Sequence, residues 1–153
     1  MEPFEIALSL PVVAPLLDVV KELADGLKQT LAAPPVLPES DSVFRDLWTQ
    51  ELLAAQNEDL AALLALFNEE FFTEGVVALG PSNAEAIARA CSAIRLRLRE
   101  RYLVPLGDEA LEIGEVELDS LDAPTRKAFM CYLFLATIQE YIIQHLDESI
   151  IGS

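Results

Sequence analysis

Tyr132-Leu-Phe-Leu-Ala-Thr-Ile-Gln-Glu-Tyr-Ile-Ile-Gln-His-Leu146 is the stretch whose reading decides the fold. It belongs to a helix expected from Ala123 to about Asp147, with Pro124 in its first turn and Asp122 or Ser120 as its cap. Set at about 100° per residue, this helix is apolar around most of its circumference. Only Arg126, Thr137, Glu140, Gln144 and Asp147 form a narrow polar stripe. A helix of that kind belongs in the middle of a bundle. Gln139 falls in the apolar arc near Tyr132, Leu135 and Leu146, so it needs a hydrogen-bond partner inside the protein. Glu140 lies on the stripe between Phe129, Leu133 and Ala136, a position of partial burial.

Working back from that helix, Ser82-Asn-Ala-Glu85 reads as a capping box opening a helix to about Tyr102. Ile87, Cys91, Ile94, Leu98 and Tyr102 form its apolar stripe. Glu74 to Leu79 reads as a short strand that can pair with a second one at Phe4 to Leu10, where apolar and polar residues alternate. Helical spacing covers residues 11 to 31. It resumes from Val43 to Phe72 as two helices divided near Asn57, with Phe44, Leu47, Trp48, Leu52, Leu60, Leu63, Leu64 and Phe67 as apolar positions. Between these lies a proline-rich linker over 32–42, since Pro34, Pro35 and Pro38 cannot supply helix donors. Gly107 to Leu121 reads as an acidic connector, with an extended piece at Glu115 to Leu118. The expectation is one mainly α domain over 1–153: about five helices bundled around the C-terminal one, with a small two-stranded sheet from residues 4–10 and 74–79.

Composition narrows the function classes. The 153 residues are 52% hydrophobic, enough to bury a core, and 26 acidic against 10 basic side chains give a net charge of −16. Such a charge repels nucleic acid and anionic membrane surfaces and favours solubility. A basic protein partner remains compatible with it. The opening Met1-Glu-Pro-Phe-Glu-Ile has no basic start or apolar core of a signal peptide, and Ala128 to Ile143 is too short for a comfortable span, so a cytoplasmic location is expected.

No pattern of catalytic chemistry appears. Phosphate-cradling glycine loops, nucleophile elbows and cofactor motifs are missing. The single histidine, His145, stands five residues from Glu140, the wrong spacing for a metal-ligating Glu-x-x-His. Acidic neighbours such as Glu69-Glu70 and Asp108-Glu109 arise easily in so acidic a chain, and adjacent helical residues do not face one another. Cys91 and Cys131 have no CxxC or metal spacing and read as small core residues, with a redox role as the alternative. Arg95, Arg97, Arg99 and Arg101 concentrate four of the ten cations, and the wheel places Arg95 or Arg101 opposite Glu140. Arg95, Arg101, Gln139 and Glu140 are thus expected to form an internal polar network.

Three segments, together running through most of the chain, resemble the AosR-like family of bacterial oxidative-stress transcription regulators, whose members share a domain of unknown function. They are Gly75-Val-Val-Ala-Leu with the following Arg95-Leu96 and Arg101, then Tyr132 to Glu140, and a weak N-terminal strand leading to the helix at Pro11. The sequence departs from the family pattern at Thr137, where relatives often carry an aromatic residue, and Cys91 and Cys131 match no motif position. The resemblance implies a regulatory, non-enzymatic protein that acts through protein contacts, as a monomer or homodimer, with a redox-responsive transcription regulator as one alternative and an enzyme with a cryptic acidic site as another.

Overall fold

The computed structural model describes residues 2–33, 42–107, 111 and 118–151. Most of the expected linker, and the acidic stretch containing Asp108, Glu109 and Glu115, lie outside them. The chain is mainly helical with a small two-stranded antiparallel sheet.

After strand β1 (Phe4–Ala7), two prolines shape the first helical segment. It is divided into α1 (Leu10–Val13), a 3-10 turn at Ala14–Leu16 and α2 (Leu17–Gly26). Pro11 and Pro15 each lack a backbone donor, so the chain tightens where one continuous helix to residue 31 was expected. Residues 27–32 instead form a turn that the next helix, α3 (Ser42–Ala65), holds in place. Gln56 donates to the carbonyls of Leu27 and Thr30 at 2.7 and 3.0 Å and accepts from the Ala32 N–H at 3.0 Å.

Asn57 was the expected break in α3, and the structure corrects this. Its amide donates to the Lys28 carbonyl at 3.0 Å, and the helix runs through it. An asparagine weakens a helix by competing for local backbone groups, and here a distant carbonyl occupies its amide donor. The break comes eleven residues later, at Asn68, whose side chain accepts from the Phe71 N–H at 3.1 Å and caps α4 (Glu69–Glu74).

Gly75 follows with φ 73°, a left-handed conformation that costs glycine little. Its carbonyl accepts the Leu8 N–H at 2.7 Å, and a Cβ at this position would lie 3.0 Å from the Leu8 oxygen. This close approach sets β2 (Val76–Leu79) against β1, with Phe4 opposite Leu79 and Ala7 opposite Val76. Ile6, Val77 and Leu79 turn inward and are buried.

The helix α5 (Ala84–Arg101) starts without the expected capping box. Asn83, rather than Ser82, holds the corner: it accepts from the Gly80 N–H at 2.8 Å and donates to the Ala78 carbonyl. Ile87, Cys91, Ile94 and Leu98 are fully buried along α5. The last helix, α6 (Ala123–Ile151), is capped by Asp122, which accepts from the Thr125 N–H at 2.8 Å.

α6 packs along α5, and α5 in turn packs against α3 on its other flank. Ala128, Phe129, Cys131, Leu135, Ile138 and Ile142 form the buried side of α6, while Leu133, Thr137, Glu140, Tyr141 and Gln144 are exposed. α5 also packs against α2, and α6 against α2 and the 3-10 turn. Counting apolar residues on one helix shows how much it can bury, but not which neighbours exist to bury it. Buried side chains from the sheet, α2, α3, α5 and α6 form one contiguous core.

Candidate functional site

Gln139 crosses from α6 to α5 and makes three hydrogen bonds there. It donates to the Ala88 carbonyl at 2.7 Å and the Ser92 hydroxyl at 2.6 Å, and accepts from Arg95 Nη1 at 2.5 Å. Arg95 also donates to the Tyr132 hydroxyl at 3.0 Å, with its guanidinium carbon 4.5 Å from the centre of that ring. The clamp thus joins Arg95, Gln139, Tyr132 and Ser92.

The structure separates the other two residues of the expected network. Glu140 is exposed and makes no ion pair among the described residues. A carboxylate drawn into the α5–α6 contact would lose its hydration, whereas the neutral Gln139 amide supplies a donor and an acceptor at lower cost. Arg101 is exposed at the end of α5, where its Nη2 would lie 3.8 Å from a Cβ added to Gly26 at the C-terminus of α2. The negative end of that helix favours a cation. Arg97 donates to the Leu31 carbonyl and pairs with Glu100 at 3.6 Å.

Both thiols are fully buried. Burial raises the pKa of each to about 12, against the opposing pull of Arg95 on Cys91 and of Lys127 on Cys131. Protonated, inaccessible thiols are poor nucleophiles. His145 stacks flat on Phe4, ring centres 3.6 Å apart, and its Nδ1 donates to the Tyr141 carbonyl at 2.8 Å. It fastens β1 to α6. Among the described residues, no group of three or more His, Cys, Asp or Glu side chains could hold a metal ion, and no helix is long and apolar enough to cross a membrane.

A groove of about 360 Å³ lies between α3 and α5, lined by Leu52, Ala55, Ala93 and Leu96. Its charged groups, Asp59 and Arg89, are committed to each other through two hydrogen bonds of 2.9 and 3.0 Å. Gln56, at the same groove, is spent on the 27–32 turn. The groove therefore offers shape but no unengaged acid, base or nucleophile.

The feature that sequence reasoning missed is the start of α3. Phe44, Leu47 and Trp48 were read as apolar positions of the helical pattern, and Val43, Phe44, Leu47 and Trp48 are 65, 52, 57 and 41% exposed. The Phe44 and Trp48 rings stack 6.3 Å apart at 13°. The core side of α3 is carried by Leu60 and Leu63, further along the helix. A signal was present in the sequence: apolar residues occupy both sides of this helix, more than one packing partner can cover.

No curated protein and no solved structure is detectably similar to this chain. Residues 12–146 match a domain of unknown function, DUF2017, and the chain belongs to that family.

Proposed function

We propose that this is a non-enzymatic, cytoplasmic regulatory protein that works by binding another protein. One observation carries the reading: four large apolar side chains, Val43, Phe44, Leu47 and Trp48, stand together in solvent on two turns of one helix. Contiguous exposed apolar surface on a soluble chain marks an interaction site, and aromatic residues dominate binding energy at such sites. The committed charges of the groove and the buried, protonated thiols give an enzymatic reading and a thiol switch no comparable support. The AosR-like resemblance, carried by Arg95, Leu96, Arg101 and Tyr132 to Glu140, favours a role in transcription through a protein partner rather than through DNA. The charge of −16 favours the same choice.

Affinity capture from native cells, comparing the wild type with a Phe44→Ser/Leu47→Ser variant, tests this. A protein recovered with the wild type and lost with the folded variant is expected. Identical recoveries from both, or no reproducible partner at all, would overturn it.

A further inference from the structure

The exposed apolar cluster is one end of a longer face. Position by position at 100° per residue, the side of α3 turned away from the core continues from Leu47 and Trp48 through Ala54 and Ala61, all exposed. Two polar residues interrupt this arc, Glu51 and Glu58, which are seven residues apart and near its midline. Neither forms an ion pair among the described residues. Large side chains at one end, small ones at the other and a repeat of three and four residues make a seam that accepts a second helix. From Val43 to Ala61 it is about 27 Å long, or about five helical turns.

The glutamates select the occupant. A second copy laid along the seam in parallel sets Glu51 on Glu51 and Glu58 on Glu58. Laid antiparallel in the overlapping register, it sets Glu51 on Glu58. Both arrangements bring together like charges, on copies that each carry a net charge of −16. A footprint of about 300 Å², the seam length times a helix width of about 10 Å, is also well below the ~800 Å² per partner of a standard interface. A transient heterologous partner satisfies both constraints.

We infer that the outward face of α3 docks an amphipathic helix of a partner protein, whose apolar stripe covers Phe44, Leu47 and Trp48 and whose Lys or Arg side chains, seven residues apart, meet Glu51 and Glu58. This rests on the protein-binding reading above and adds the partner's chemistry.

Trp48 is the sole tryptophan of the chain and lies in the seam, so its emission reports occupancy directly. The probes are two synthetic helical peptides of about 18 residues, the length of five turns, each with a leucine stripe. One carries flanking lysines at seven-residue spacing, and the other carries glutamates in their place. The lysine peptide should shift Trp48 emission to the blue and bind roughly tenfold more tightly than the glutamate peptide, a difference two charge pairs can supply. Glu51→Lys/Glu58→Lys should reverse that order. Unchanged emission, equal affinity for both peptides, or a wild-type dimer dispersed by Leu47→Ser would overturn the inference. A cellular partner lost with Phe44→Ser/Leu47→Ser but retained by Glu51→Lys/Glu58→Lys would also overturn it while leaving the protein-binding reading intact.

Discussion

Gln139→Ala isolates the contribution of the clamp between α5 and α6. The substitution removes one hydrogen bond to a charged donor, Arg95, and two to neutral acceptors, Ser92 and the Ala88 carbonyl. A bond to a charged group contributes about 1.5–3 kcal/mol and a neutral one about 0.5–1.5. Gln139 is half-buried, so the lower ends apply, and the Ala88 carbonyl keeps its position in the helix ladder. The expected loss is about 2–3 kcal/mol. In a chain of this size each kcal/mol lowers Tm by roughly 2–4 °C. Urea unfolding should show the midpoint falling at an unchanged m value. The neighbouring Glu140→Ala, at an exposed site, should fall within about 0.5 kcal/mol of the wild type. If Glu140→Ala is as destabilising as Gln139→Ala, the assignment of the clamp to Gln139 is wrong.

Three further changes test other parts of the fold. Asp122→Ala removes the α6 cap and should lower the midpoint of thermal unfolding. Hydrogen bonds from the Thr125 side chain and backbone hold the Asp122 carboxyl below its usual pKa, so its contribution is present above the unfolded value near 3.9 and disappears as pH falls through the folded one. The gap between wild type and Asp122→Ala should therefore close in acid, and a constant gap counts against the cap. Gly75→Ala forces a Cβ into a left-handed conformation with the Leu8 oxygen 3.0 Å away and should cost about 2 kcal/mol; a neutral result in urea unfolding would refute the close approach. For Cys91 and Cys131, burial raises both pKa values from near 9 to about 12. The unfolded chain then loses protons first, so stability present below pH 9 declines between about 9 and 12. Between pH 8 and 10.5 the wild type should lose on the order of 1–2 kcal/mol per thiol more than Cys91→Ala/Cys131→Ala, and parallel pH profiles would place the thiols in water.

Helical periodicity and proline placement made the architecture legible, because both act locally. The small sheet was also readable, from alternation over Phe4 to Leu10 and a short strand read over Glu74 to Leu79. Errors arose where a side chain found a distant partner. Asn57 reads as a helix breaker until the Lys28 carbonyl, 29 residues away, occupies its donor. Ser82 fits a capping motif, but the strand end at Ala78 draws Asn83 into the corner instead. The wheel separated Gln139 from Glu140 and identified Gln139 as the residue needing an internal partner. It could not pair Arg95 with Gln139 rather than Glu140, since the choice depends on the desolvation of a carboxylate in a contact whose geometry periodicity does not contain. For the first turns of α3 it found apolar residues on both sides of the helix, but which side meets a neighbour depends on elements distant in the chain.

The residues of the clamp and those proposed to act lie on different helices, for a physical reason. Arg95, Gln139 and Tyr132 bond to one another between α5 and α6, so each constrains the others and a change in one strands its partners. Such a set is tied to the fold, and it says little about activity. Several side chains on the outward face of α3, Leu47, Trp48, Glu51 and Glu58 among them, are exposed. Exchanging Glu51, Glu58 or Leu47 alters what meets the protein without altering what holds it together. Stability should therefore respond to the α5–α6 clamp and binding to the outward face of α3, with little exchange between them.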